Sequence, residues 1–210
     1  MCYTIPNTVK ELFRSILAAG LFDRQYIHGQ FLTLQKGMFV LEFGRRTGGN
    51  VIKPVRIVVR PAYRVEWDDA MALAWRTFMQ FEAKDYTLEG IESFQDFITD
   101  TVLYRMFLMG AYQLFGAYDN GIMVGMISLR NETHISLLFV DRKYHKKGIG
   151  RMLIDYVSEY VWAEEGHSRI TVNAAPYAVG FYHRVGFADT GTEQTREGVR
   201  YTPMERNIKA

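Results

Sequence analysis

Val140-Asp141-Arg142-Lys143-Tyr144-His145-Lys146-Lys147-Gly148-Ile149-Gly150-Arg151-Met152-Leu153 is the stretch on which the fold turns. It leaves an apolar run, crosses a basic loop with two glycines, and enters an amphipathic helix. Such a loop aims main-chain N–H groups outward at the positive end of a helix dipole, a recipe for holding a phosphate or diphosphate. Arg142, Lys143, Lys146, Lys147 and Arg151 add positive charge. Two familiar phosphate loops do not match. The G-x-x-x-x-G-K-[ST] spacing is absent, and G-x-G-x-x-G fails because Leu153 holds the third glycine position. An anion cradle and a plain glycine turn into a helix both remain open on the loop alone.

Working outward, Ile135 to Val140 reads as a strand. Before it, Leu114 to Tyr118 and Ile122 to Leu129 read as strands joined by the hairpin turn Asp119-Asn120-Gly121. After the loop, Gly150 to Trp162 reads as a helix with Leu153, Ile154, Val157, Tyr160 and Val161 inward. A strand at Arg169 to Asn173 follows, then a short helix at Ala178 to Arg184 closed by Gly186. Phe187 to Gly191 and Val199 to Met204 read as a final strand pair across Arg196-Glu197-Gly198. Upstream lie a strand at Val55 to Arg60 and a helix at Glu66 to Phe81. Further helix at Leu88 to Met109 breaks near Thr99-Asp100.

This order predicts an α/β or α+β domain over 53–210, with helices on both faces of the sheet. The piece from Ile135 to Val172 should be a right-handed parallel crossover. Residues 1–52 read as an appendage. A helix carries Val9, Leu12, Phe13, Ile16 and Leu17 on one face, and a hairpin follows across Lys36-Gly37. At that size it should not fold alone. It is left three uses: closing a substrate site, extending the sheet, or making a homodimer contact.

The loop resembles the acetyl-CoA-binding loop of the GNAT acyltransferase superfamily, [Gln/Arg]-x-x-Gly-x-[Gly/Ala]. Here it reads His145-Lys146-Lys147-Gly148-Ile149-Gly150, with His145 a departure at the first position. A second resemblance lies downstream, where Asn173 is followed by Ala178-Val179-Gly180-Phe181-Tyr182-His183-Arg184-Val185-Gly186-Phe187, similar to the family's A-x-x-F-Y-x-x-x-G-F segment. Together the two cover about residues 55 to 206. The resemblance implies a mixed, mostly antiparallel central sheet with a splayed parallel strand pair. It implies acetyl-CoA as co-substrate, its diphosphate on the amides of Lys146, Lys147, Gly148, Ile149, Gly150 and Arg151, near His145. It also implies pantetheine pairing with Leu138, Phe139 and Val140, and Asn173 hydrogen-bonding the arm or the loop. The amide of Phe139 or Val140 would polarise the thioester carbonyl. Tyr182 would be the general acid, a phenol near ~10 protonating a leaving thiolate near ~8.5.

The implied activity is N-acetylation of an amine by direct attack. The alternative is a non-catalytic CoA-binding or regulatory module. For the base, Glu82, Asp85, Glu132 and His134 all remain candidates. From Glu66 to Asp100 nine acidic residues face only Arg76 and Lys84, so a cationic amine is one expectation and two solvated helix faces the other. The aromatics Trp75, Phe78, Phe81, Tyr86 and Phe94 belong to the core or line an apolar part of the acceptor pocket.

Composition bounds the rest. The chain has 210 residues, 48% hydrophobic and 23% charged, with net charge +2. That balance suits one sizeable globular domain and argues against a general nucleic-acid binder. Cys2 is the single cysteine, which excludes a disulfide framework. The histidines show no metal-ligand spacing, so no metal is expected. No apolar run reaches the ~18 residues of a membrane span, and the expectation is a soluble cytoplasmic protein.

Overall fold

In the computed structural model, main chain is described for the strand segments 25–27, 30–35, 38–43, 46–47 and 50–51 and for residues 55–208 apart from 197; side chains are described from residue 56. The expected first helix lies outside the described residues. Strands β1 (Gln25–Ile27), β2 (Gln30–Gln35), β3 (Met38–Phe43), β4 (Arg46–Thr47), β5 (Asn50–Val51) and β6 (Val55–Pro61) come first. Three helices follow, α1 (Trp67–Phe81), α2 (Leu88–Thr99) and α3 (Thr101–Met109). Strands β7 (Tyr112–Asp119), β8 (Ile122–Arg130) and β9 (His134–Val140) lead to α4 (Ile149–Ala163). The chain continues through β10 (Arg169–Ala174), α5 (Val179–Arg184), β11 (Ala188–Asp189), β12 (Gln194–Arg196) and β13 (Val199–Asn207).

Local chemistry sets these boundaries. Asp100 is extended (φ −65°, ψ 119°) and its carboxylate accepts from the Val102 N–H, so one residue ends α2 and caps α3. Gly110, at φ +81°, stops α3. Asn120 and Gly121 both have positive φ, and Asp119 faces Ile122 directly, the two-residue turn that the sequence announces.

One sheet runs β1-β2-β3-β6-β7-β8-β9-β10-β13-β11, with β12 on β13. Every pairing in it is antiparallel except β9 with β10. The hairpin β2–β3 joins through β3 to β6, with Leu41 opposite Ile57. The end of the chain differs from the sequence reading. The partner of β13 across residues 196–199 is β12, a strand not anticipated. The expected strand at Phe187 to Gly191 shortens to β11, which pairs farther along β13 at Glu205 and Met204. One nine-residue strand serves two short partners because the chain turns away after Thr190, whose N–H still donates to the Pro203 carbonyl (2.9 Å).

Each face of the sheet carries its own core. On one face Ile149, Leu153, Ile154, Val157 and Val161 of α4 pack with Ile57, Val59, Ile127, Ile170, Tyr182 and Phe187. On the other, Trp67, Leu73, Ala74 and Phe78 of α1 pack with Ile98, Leu103, Tyr112, Met126, Leu137 and Phe139. The start of α1 is tied to the sheet by Glu66. Its carboxylate accepts from Arg60 (2.7 and 2.9 Å), the Tyr118 hydroxyl (2.8 Å) and the Tyr63 N–H (2.6 Å).

Candidate functional site

The site is made where β9 and β10 separate. They pair only at His134–Thr171 and Ile135–Val172, with the His134 Nδ1 and Thr171 Oγ1 2.9 Å apart across the seam. On its other side β9 stays on β8, but the register steps from Leu137 opposite Ser128 to Ile135 opposite Leu129. Ser136 is therefore the extra residue of a bulge, a device that bends a strand away from its neighbour.

Ladder phase decides which groups the splay sets free. The Asp141 N–H donates to the Val124 carbonyl at 2.8 Å. Main-chain groups alternate along an antiparallel strand, so Phe139 turns its N–H and C=O to Met126, while Leu138 and Val140 turn theirs into the opening. The Phe139 side chain is buried against Phe94, ring centres 5.8 Å apart. The expected main-chain role of Phe139 toward a cofactor is therefore corrected: its amide is spent on β8, and Leu138 and Val140 present the open edge.

Main-chain turns, an ion pair of Asp141 with Arg76 of α1 (3.6 Å) and further side-chain bonds hold the loop after β9. Asp141 accepts from the Lys143 N–H (3.0 Å). Tyr144 donates to Asp119 (2.6 Å), which lifts its own pKa to about 12, this bond being the largest cause and burial the next. The His145 Nε2–H donates to the Val140 carbonyl at 2.8 Å. His145 thus braces the last peptide of the strand, a different role from the expected cofactor contact. Lys146 at φ +58° and Gly148 at φ +82° turn the loop through the left-handed region after an extended His145 (φ −60°, ψ 151°). Among the described residues, the N–H groups of Lys146 to Arg151 donate to no protein acceptor. A free donor set of this kind fits a diphosphate.

The other predicted residues fall around this loop. Lys147 sits 4.6 Å from the Tyr144 ring. Ile149 is buried beneath Gly125, and Gly150 lies against Phe181, whose ring would be 3.0 Å from an added Cβ. Arg151 donates to the Arg184 carbonyl (2.7 Å), tying α4 to the end of α5. Asn173 is exposed on β10, opposite Pro203. Tyr182 is 5% exposed between Phe181 and Phe187 (5.3 and 5.1 Å). Burial, and secondarily the charge of Glu82, push its phenol well above the ordinary range.

The four candidate bases separate. Glu132 pairs with His167 at 2.9 Å. His134 lies at the seam, six residues from Val140, or ~20 Å along the strand; burial, and then Arg130, lower its pKa to about 4. Asp85 is exposed. Glu82, just past the end of α1, is half-buried, and burial, with Asp85, raises its pKa to about 7. Beside it Phe81 stacks on His145 (4.8 Å) and on Tyr177 (5.7 Å). That stack joins three distant parts of the chain, and no spacing in the sequence announces it. Trp75, Phe78, Tyr86 and Phe94 form a stacked core instead, with Phe78 and Phe94 4.1 Å apart.

Fold and site define a class: a mixed-sheet transferase scaffold opened at a strand splay, with a donor-rich turn at one lip. The chain belongs to the acetyltransferase (GNAT) domain family, whose model matches residues 82–208. A Bacillus subtilis (strain 168) protein, named provisionally as an acetyltransferase, is 26% identical over 102 residues, 47% of this chain and 69% of that protein. The fold is shared with a GCN5-related N-acetyltransferase from Rhodopseudomonas palustris (TM-score 0.63, 24% identity, 76% of this chain and 99% of that one). It is shared with the PaiA N-acetyltransferase of Thermoplasma acidophilum in complex with coenzyme A (0.59, 19%, 72% and 98%). A spermidine N-acetyltransferase mutant from Vibrio cholerae also matches (0.53, 16%, 72% and 94%). No helix among the described residues is long and apolar enough to cross a membrane.

Proposed function

We propose that the protein transfers the acetyl group of acetyl-CoA to a primary amine, both substrates bound together. The observation that carries this is the pairing of two donor sets open to a ligand: the N–H groups of Lys146 to Arg151, and the N–H groups of Leu138 and Val140 on the edge of β9, where His145 holds the Val140 carbonyl. The first fits a diphosphate and the second an extended pantetheine arm added as a strand. Acetyl-CoA supplies an activated acyl thioester. The Val140 N–H, turned into the opening, would stabilise charge on the carbonyl oxygen. Tyr182 keeps its proton at neutral pH and is the donor to the departing sulfur. Asn173, on the opposite lip, holds the arm. A spermidine N-acetyltransferase among the fold neighbours supports reading the acceptor as an amine. Residues 1–52 we read as an appendage that extends the sheet through β3.

Calorimetric titration with coenzyme A, alongside a free-thiol assay with acetyl-CoA and a panel of amines, tests this. Micromolar binding with amine-dependent thiol release is expected. Binding without thiol release would leave the non-catalytic module; no binding removes both.

A further inference from the structure

We propose that Glu82 accepts the proton of the incoming ammonium, holding it beside Tyr182 at the mouth of the splay. This rests on the acetyl-transfer reading and adds the residue that readies the acceptor.

Placement carries it. The end of α1 meets the loop after β9 through Phe81 on His145, and meets the segment after β10 through Phe81 on Tyr177. Glu82, the next residue, therefore stands at the opening whose lip is Val140. It lies within electrostatic reach of Tyr182 from α5 and of Tyr86. Among the described residues its carboxylate has no hydrogen-bond or ion-pair partner. A half-buried carboxylate at that opening, with no protein cation on it, is open to a substrate ammonium.

The groups facing it are Asp85 and Tyr86 from the segment after α1, Tyr182 from α5, His145 on the far side of Phe81, and Arg200 from β13 beyond Asp85 and Tyr86. Arg200 is already held by Glu193 at 2.6 Å. The hairpin carrying it presses on α2, the Gly198 carbonyl lying 2.7 Å from where a Cβ on Gly90 would be. Asp85 is the nearest full charge, and it is negative, so the subsite favours a cation.

The step balances. The ammonium gives one proton to Glu82 and becomes an amine with a free electron pair. That pair forms the C–N bond as the C–S bond breaks. Tyr182 protonates the departing sulfur and regains its proton from the nitrogen through water. Glu82 returns its proton to solvent. With burial lifting the Glu82 pKa to about 7, the carboxylate matches the working pH of a base.

The test compares wild type, Glu82→Gln and Glu82→Asp as full-length proteins, reading coenzyme A binding and the pH profile of thiol release with an accepted amine. Glu82→Gln should lower kcat/KM ~100-fold or more, keep coenzyme A affinity, and move the acid limb from near neutrality up to the amine's own ionisation. Glu82→Asp should shift that limb while keeping part of the rate. If Glu82→Gln fails to fold, the aspartate variant alone decides. An unmoved limb with turnover within ~3-fold of wild type in whichever variant folds overturns the assignment. A wild type that releases no thiol with any amine overturns the acetyl-transfer reading itself, and Glu82 with it.

Discussion

Tyr182 and Glu82 are two groups whose surroundings push them the same way, toward the neutral form. For Tyr182 the consequence is a phenol that stays protonated throughout the physiological range. Tyr182→Phe should lower turnover about 100-fold while coenzyme A binding, read by calorimetry, holds. For Glu82 the consequence is thermodynamic as well. Its folded pKa, about 7, lies above the ordinary glutamate value of 4.5. The folded state therefore holds a proton that the unfolded chain releases between those values, and stability falls as pH rises through that window. Glu82→Gln has no such charge. Its stability should gain on wild type from pH 5 to 8 by no more than about 3 kcal/mol, read as a melting-temperature difference that widens with pH. A constant offset across that range would mean the carboxyl is not buried in solution.

At the level of elements, the site depends on where β9 lets go of β10. His134 marks the seam, and its pKa, lowered by burial to about 4, implies the opposite pH behaviour. The unfolded chain binds a proton that the folded one refuses, so stability is lost as pH falls from ~6.5 through 4. His134→Gln should flatten that acid loss in thermal melts. The turn into α4 is constrained differently. Gly150→Val would drive a side chain into the Phe181 ring, at a cost of about 1–3 kcal/mol. Because Phe181 adjoins Tyr182, coenzyme A affinity and turnover should drop together. Much of this element plan was legible in sequence. Asn120-Gly121 announces its hairpin, Asp100 its helix break, and Gly148-Ile149-Gly150 its loop. The bulge at Ser136 was not, because nothing distinguishes it locally from other strand residues. Nor was the Phe81–His145–Tyr177 stack, which exists only after tertiary assembly. Nor does any local signal set Glu82 apart from Asp85, Glu132 and His134; its position follows from the packing of Phe81 on His145 and Tyr177.

For the molecule as a whole, β3 covers the edge of β6. Removing residues 1–52 would leave β6 with unpaired main-chain groups facing solvent, a template for unwanted pairing. The truncated protein should melt lower and elute as larger species on size exclusion. A monomer of unchanged melting temperature would show that the sheet from β6 onward is self-sufficient.

The seam at His134 also makes the sheet a book with an unglued spine. Its two leaves share only a couple of rungs, so main-chain bonds do little to fix their angle. A bound pantetheine arm would supply the missing rungs and stiffen the volume from cover to cover. Amide deuteration at Leu138 and Val140 should therefore slow sharply when coenzyme A is added, and amides far off in β13 should register the same closing, because the leaf that carries them no longer swings.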